Sequence, residues 1–170
     1  MNIQEQTKIV EQLAGLLTKN NNLMSVAESC TGGWVAKVLT DLAGSSGWFE
    51  RGFVTYSNRA KHEMLGVAET TLQTYGAVSE ETVSEMAVGA LTNSHADFSL
   101  AISGIAGPDG GSEDKPVGLV WFAWAEKINE TENVMLAEQK IFTGDRDAVR
   151  QQAVVHALTQ LLNLIDMRDK

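Results

Sequence analysis

Cysteine is almost absent from this sequence: Cys30 is the single thiol in 170 residues. One cysteine makes no internal disulfide and no multi-cysteine zinc or iron-sulfur site, which agrees with a reducing compartment. Histidine is scarce too. His62, His95 and His156 lie far apart with no HxH, HExxH or HxxE-type spacing, so they read as surface or helix-end residues and no metal site is expected. Basic residues are in deficit, 13 Lys and Arg against 22 Asp and Glu, a formal charge of −9. That sign opposes an unspecific grip on nucleic acid or anionic lipid, and no nucleic-acid partner is expected. Long apolar runs are missing, because charges or turn residues interrupt each one well short of a membrane span. The opening MNIQEQTKIVEQL lacks the basic start, apolar centre and small-residue cleavage site of a secretory signal. A cytoplasmic protein without membrane contact is therefore expected.

What is present is ordinary for one soluble domain, with 44% hydrophobic and 21% charged residues. A chain of this length buries roughly 70% of the surface its unfolded form exposes, enough for one core without a disulfide or structural metal. In residues 3–17, Ile3, Ile9, Val10, Leu13, Leu16 and Leu17 recur at mostly three- and four-residue steps, the pattern of a one-faced helix. Residues 23–27 (LMSVA) read as a buried strand, and Trp34, Val35, Val38, Leu39 and Leu42 as a helix stopping at Gly44. A second strand is expected over 52–57 and a short helix over 58–65, capped by Ser57 or Asn58. Ser79-Glu80-Glu81-Thr82 opens a further helix. Strands over 98–103, 117–125 and 133–142 follow, the last two forming a hairpin that turns near Asn129. A final helix covers 145–165. Early alternation of helix and strand with a late strand pair predicts an α/β fold, a three-layer α/β/α sandwich around a mixed, mostly parallel sheet of about five strands, in a single domain over 1–170.

In such a sheet, ligands sit outside the carboxyl ends of the strands, and three loops there carry chemistry: 28–33, 56–61 and 103–112. Ser29 falls where strand gives way to helix, so the N–H groups of residues 30–33 can hold a phosphate or an oxyanion, with Gly32 and Gly33 permitting close approach. Equally, Ser29 or Thr31 can be a plain N-cap. Cys30 is a rival nucleophile, but no histidine is placed to serve it as base, and it reads as buried and inert. Lys61 can reach the Ser29 crevice if the two strands pair in parallel, and a desolvated lysine can act as a serine's general base; otherwise it is a solvated helix residue beside Arg59. Tyr56 can orient that lysine, stack on a flat ring, or be a half-buried strand aromatic. Gly104 to Ser112 is glycine-dense, which suggests close backbone approach to a ligand, yet it matches neither GxGxxG nor the P-loop. Ser103 offers a hydroxyl or a turn. Arg146 and Arg150 share a face at the start of the last helix and can clamp an anion or make surface ion pairs.

AESCTGG at 27–33, GSS at 44–46, FVTYSN at 53–58, GAVSEETV at 76–83, SGIAGPDGG at 103–111, KPVGLVW at 115–121 and GDRDAVR at 144–150 together resemble the CinA C-terminal domain family, from about residue 5 to residue 165. The resemblance, closest to the stand-alone members, implies hydrolysis of the carboxamide of nicotinamide mononucleotide to nicotinate mononucleotide and ammonia, in pyridine-nucleotide salvage, without metal or organic cofactor. It implies Ser29 as nucleophile, Lys61 as its base, Tyr56 arranging that pair and the ring, and Arg146 as substrate-binding arginine with Arg150 as second choice. Thr31, Gly32, Gly33, Ser103 and Gly104 would complete the substrate site, with Cys30 and Thr31 forming the oxyanion hole. Ser103 replaces the threonine of many members, keeping the hydroxyl without the methyl. Trp34, Trp48 and the loop near Asp109 can tune the substrate, or each can equally be a packing or surface feature. A homodimer is implied as well. The alternatives are a non-catalytic nucleotide-binding or regulatory paralogue and an amidase for a related small amide.

Overall fold

The computed structural model describes residues 3–168, with backbone alone for 3–5, so the side chain of Ile3 lies outside the described residues. In chain order the elements are α1 (Ile3–Lys19), β1 (Met24–Glu28), α2 (Trp34–Thr40), a 3-10 turn (Ser45–Gly47), β2 (Phe49–Val54), α3 (Asn58–Leu65), α4 (Glu69–Tyr75), α5 (Glu80–Thr92), β3 (Phe98–Gly104), β4 (Leu119–Ile128), β5 (Thr131–Ile141) and α6 (Arg146–Arg168). One five-stranded sheet has the order β2-β1-β3-β4-β5. Strand β1 is parallel to both neighbours, and β4 is antiparallel to β3 and β5. The three-layer α/β expectation holds, with the antiparallel pairs confined to one end.

Side-chain alternation along the strands sorts the two faces by size. Met24, Val26, Leu100, Ile102, Phe122 and Trp124 face α1, α2 and α6 and share one apolar cluster with Leu13, Leu39, Val154 and Leu158. On the other face Ala27, Ala101, Ala123 and Ala125 meet Val83, Met86, Ala87 and Ala90 of α5. These short side chains let α5 lie close to the sheet. The buried Ser25 and Ser99 hydroxyls donate to the carbonyls of Ala90 (3.3 Å) and Ala87 (2.7 Å), so neither costs an unmade bond.

One expected boundary shifts and one helix is additional. Strand β2 begins at Phe49 rather than residue 52, because as an edge strand it follows β1: Met24 pairs with Phe49, and Glu50 and Arg51 pair with each other at the exposed rim. Helix α4 has a single buried apolar residue, Leu72, and so carries no periodic signature. The caps agree with the sequence: Ser57 accepts from the Ala60 N–H (3.0 Å) and Ser79 from the Thr82 N–H (3.2 Å). The hairpin turns at Asn129 and Glu130, both left-handed. His156 is neither a surface nor a helix-end residue. Its ring lies 4.9 Å from that of Phe122, and its Nε2 is 2.9 Å from Glu138, which ties α6 to β5.

No described helix is long and apolar enough to cross a membrane, and no group of three His, Cys, Asp or Glu among the described residues is placed to hold a metal ion.

Candidate active site

Because β1, β2 and β3 are parallel, the chain leaves all three at one edge of the sheet. Glu28 is in register with Val54 and Ile102, so residues 29, 55 and 103 emerge side by side. The ladder continues one step: the Ser29 N–H donates to Ile102 (3.0 Å) and the Thr55 N–H to Glu28 (2.8 Å). Three residues past Thr55, α3 starts and turns Lys61 back under the sheet edge, where the side chain is 1% exposed. Its Nζ donates to Ser29 Oγ (2.9 Å) and to the Thr55 carbonyl (2.8 Å).

Lys61 has no carboxylate partner among the described residues. Burial pushes its pKa from 10.5 down to about 8, with the Cys30 thiol acting weakly the other way. With the Thr55 carbonyl holding one N–H, the lone pair of the neutral amine can take the Ser29 proton. Cys30 moves in the opposite sense. Burial, against its own backbone N–H and with Glu28 adding to the rise, carries the thiol from 9.0 to about 11, and Lys61 and Arg150 only partly offset this. A thiol at that value is a poor nucleophile at neutral pH.

The turn after Ser29 is narrower in its uses than its glycines suggest. Gly32 and Gly33 are both left-handed, at φ 62° and 95°, which is why these positions need glycine. Their N–H groups are spent internally: Gly32 donates to the Ser29 carbonyl (3.1 Å) and Gly33 to Glu28 Oε2 (3.1 Å). Glu28 also accepts from Val35 (3.0 Å) and Ala36 (2.9 Å), so the start of the seven-residue α2 is capped by a buried carboxylate and is not an anion site. Among the described residues, neither the Cys30 nor the Thr31 N–H donates to a backbone carbonyl. The expectation that Thr31, Gly32 and Gly33 line the substrate site is thereby corrected: both glycines serve the turn, Thr31 is fully buried, and none of the three borders the cavity described next, which leaves Thr31 only its backbone N–H to offer.

A cavity of about 210 Å³ opens beside Ser29, bordered by Cys30, Lys61, Tyr56, Ser103, Gly104 and Arg146, with Ala77, Val78 and Ala106 as apolar wall. Tyr56 borders the same cavity, but among the described residues it makes no hydrogen bond to Ser29 or Lys61, so the expected arrangement of that pair by Tyr56 has no direct bond behind it. Its side chain is exposed, and its hydroxyl accepts from Arg146 (2.7 Å), whose other nitrogen donates to the Gly107 carbonyl (2.8 Å). The Thr55 carbonyl, not Tyr56, steadies Lys61. Arg146 makes no ion pair among the described residues, so its remaining donors are free for an anion. Arg150 is elsewhere: it donates to the carbonyls of Cys30 (3.1 Å) and Thr31 (2.9 Å) and lies 5.2 Å from the Trp34 ring centroid, away from the cavity.

The Ser103 hydroxyl donates to the Ala77 carbonyl (2.7 Å), fixing the wall segment ahead of α5. Gly104 meets its own sheet, since a Cβ there would lie 2.7 Å from Val120 Cγ2. Gly107 and Gly111 likewise pack on the returning chain, with Val117 within 2.5 Å of a Cβ on the first and 2.9 Å of one on the second. Close approach in this loop is to the protein itself. Trp34 packs on Arg150, Trp48 is buried in the core, and Asp109 is exposed. Sequence reasoning passed over Glu28, Thr55 and Asn58, the last of which also borders the cavity. Glu28 had one available signal, an acid ending an otherwise apolar strand.

The centre of this α/β-sheet protein's candidate site is a buried serine–lysine pair beside the ends of parallel strands, with Arg146 at the cavity mouth. The chain belongs to the CinA C-terminal domain family, which matches residues 6–165. It is 57% identical over 157 residues to the nicotinamide-nucleotide amidohydrolase PncC of Escherichia coli K12, covering 92% of this chain and 93% of that one. It is 48% identical over 158 residues to the protein of the same name from Pseudomonas putida, covering 93% and 96%. The crystal structure of the competence/damage inducible protein CihA from Agrobacterium tumefaciens superposes with a TM-score of 0.88 at 45% identity, over 94% of this chain and 95% of that one.

Proposed function

We propose that this chain is an amidohydrolase that converts nicotinamide mononucleotide and water to nicotinate mononucleotide and ammonia, serving pyridine-nucleotide salvage. The observation that carries the proposal is the 2.9 Å contact between Ser29 Oγ and a buried Lys61 that has no carboxylate partner among the described residues. The names of the relatives supply the substrate. Ser29 Oγ bonds to the carboxamide carbon while its proton passes to Lys61 Nζ. The Cys30 and Thr31 N–H groups receive the charge that develops on the carbonyl oxygen. Lys61 then returns the proton to the leaving nitrogen, the C–N bond breaks and ammonia departs. Water, deprotonated by the same amine, cleaves the ester and restores Ser29. No step is routed through a metal or organic cofactor. A cavity of about 210 Å³ is smaller than the roughly 300 Å³ that encloses a drug-sized ligand. It suits the pyridine ring and carboxamide, leaving the phosphoribosyl group at the mouth beside Arg146. A cytoplasmic address and a homodimer belong to the same reading.

The test is acid quenching of the protein during turnover of nicotinamide mononucleotide, followed by mass mapping. The expected result is an acyl group on the peptide holding Ser29, lost in Ser29→Ala. An acyl group mapped to Cys30 would move the nucleophile to the thiol, and an acylated peptide elsewhere would refute the site.

A further inference from the structure

Arg150 presents a contradiction if it is taken as an anion ligand. It is basic and near the nucleophile, yet it spends its donors on two carbonyls and stacks on Trp34. Those carbonyls belong to the turn that supplies the oxyanion donors. In a trans peptide the C=O of one residue and the N–H of the next point in opposite directions. Arg150 Nε holding the Cys30 carbonyl therefore turns the Thr31 N–H away from the guanidinium. Its second nitrogen holds the Thr31 carbonyl, in the same peptide as the Gly32 N–H. That N–H grips the Ser29 carbonyl, which in turn shares its peptide with the Cys30 N–H. The hand-over reaches both donors: the Thr31 N–H directly, and the Cys30 N–H through Gly32.

Resting on the amidohydrolase reading above, we propose that Arg150 is a positioning residue for the oxyanion-binding turn: by holding the Cys30 and Thr31 carbonyls it aims the Cys30 and Thr31 N–H groups at the reacting carboxamide, and it does not bind the substrate's phosphate. Two further features fit. Arg150 forms no ion pair among the described residues, so its full charge falls on those peptides and polarises them. Its nitrogen is also 3.4 Å from where a Cβ on Gly32 would stand, so the guanidinium rests against the turn itself. A lysine in its place has a single ammonium head and cannot span both carbonyls in one plane while stacking on an indole.

The experiment compares wild type, Arg150→Lys and Arg150→Met in steady-state ammonia release from nicotinamide mononucleotide, with thermal melting and nicotinate mononucleotide binding measured alongside. Loss of one oxyanion donor costs ~10²–10³ in kcat, so misaimed donors should cost about 10- to 100-fold. The expected result is that fall in kcat with KM held within about twofold, unchanged product affinity, and an unchanged pH inflection, because Lys61 is untouched. A raised KM with kcat retained would make Arg150 a phosphate ligand and overturn the proposal. Unchanged kinetics would overturn it, and so would unfolding of both variants, which would leave a purely structural clamp. If the wild type itself releases no ammonia, the amidohydrolase reading fails and the inference falls with it; normal wild-type turnover beside unaffected variants removes the inference alone.

Discussion

Replacing Lys61 with methionine separates what the lysine costs the fold from what it does in the site. Methionine matches the length of the stem without the charge, and two partners, Ser29 Oγ and the Thr55 carbonyl, lose a donor. At pH 7 the two changes oppose each other. Leaving the buried Thr55 carbonyl unpaired costs about 1–3 kcal/mol. Removing a lysine whose pKa is displaced from 10.5 to about 8 relieves about 3 kcal/mol of ionisation penalty, at about 1.36 kcal/mol for each pH unit. The net effect near neutrality is therefore small, and pH dependence is the sharper reading. Between pH 8 and 10.5 the unfolded chain keeps the lysine proton and the folded one has released it, so wild-type stability rises with pH across that window. Cys30 works against this, because its raised pKa makes stability fall between about 9 and 11, but it is common to both proteins and drops out of the comparison to first order. Urea denaturation from pH 7 to 10.5 should show the wild type gaining up to about 3 kcal/mol on Lys61→Met. A constant difference across that range would refute a desolvated Lys61 and with it the neutral base.

Three further outcomes follow from the same geometry. Because the base must be neutral, kcat/KM should rise about tenfold per pH unit below a pH of about 8 and level off above it; a profile that falls over this range would show that the charged amine is the active form. Arg146→Gln should raise KM for nicotinamide mononucleotide about 10- to 100-fold, the equivalent of one charged hydrogen bond, and should leave KM for the phosphate-free nicotinamide riboside unchanged. Gly104→Ala should destabilise the fold by about 1–3 kcal/mol in a urea titration, since its Cβ would stand 2.7 Å from Val120 Cγ2 and 2.8 Å from the Leu119 carbonyl oxygen; an unaffected midpoint would mean that β3 and β4 separate easily.

The parts of the site legible in the sequence are those carried by local pattern plus one topological rule. Ser29, Lys61 and Ser103 each follow a recognisable strand, and parallel pairing brings such positions to one edge, so their proximity could be anticipated. Contacts made across the fold could not. Arg150 meets Cys30 across a sequence separation of 120, and Arg146 meets Tyr56 across 90, and only packing of α6 against the strand ends decides which arginine faces the cavity. Glycine density was misleading for a related reason: Gly104, Gly107 and Gly111 record close approach, but sequence does not say whether the approaching atom belongs to a ligand or to Val117 and Val120. Helix α4 escaped because one buried leucine makes no periodicity, and the start of β2 because an edge strand takes its register from its neighbour.

The most direct measurement of the central claim is ammonia release from nicotinamide mononucleotide by the purified wild-type protein, with Ser29→Ala and Lys61→Ala beside it. Turnover in the wild type and its loss in both variants, with folding retained, is the result predicted by a serine nucleophile held 2.9 Å from a lysine base. Turnover that persists in Ser29→Ala would contradict it.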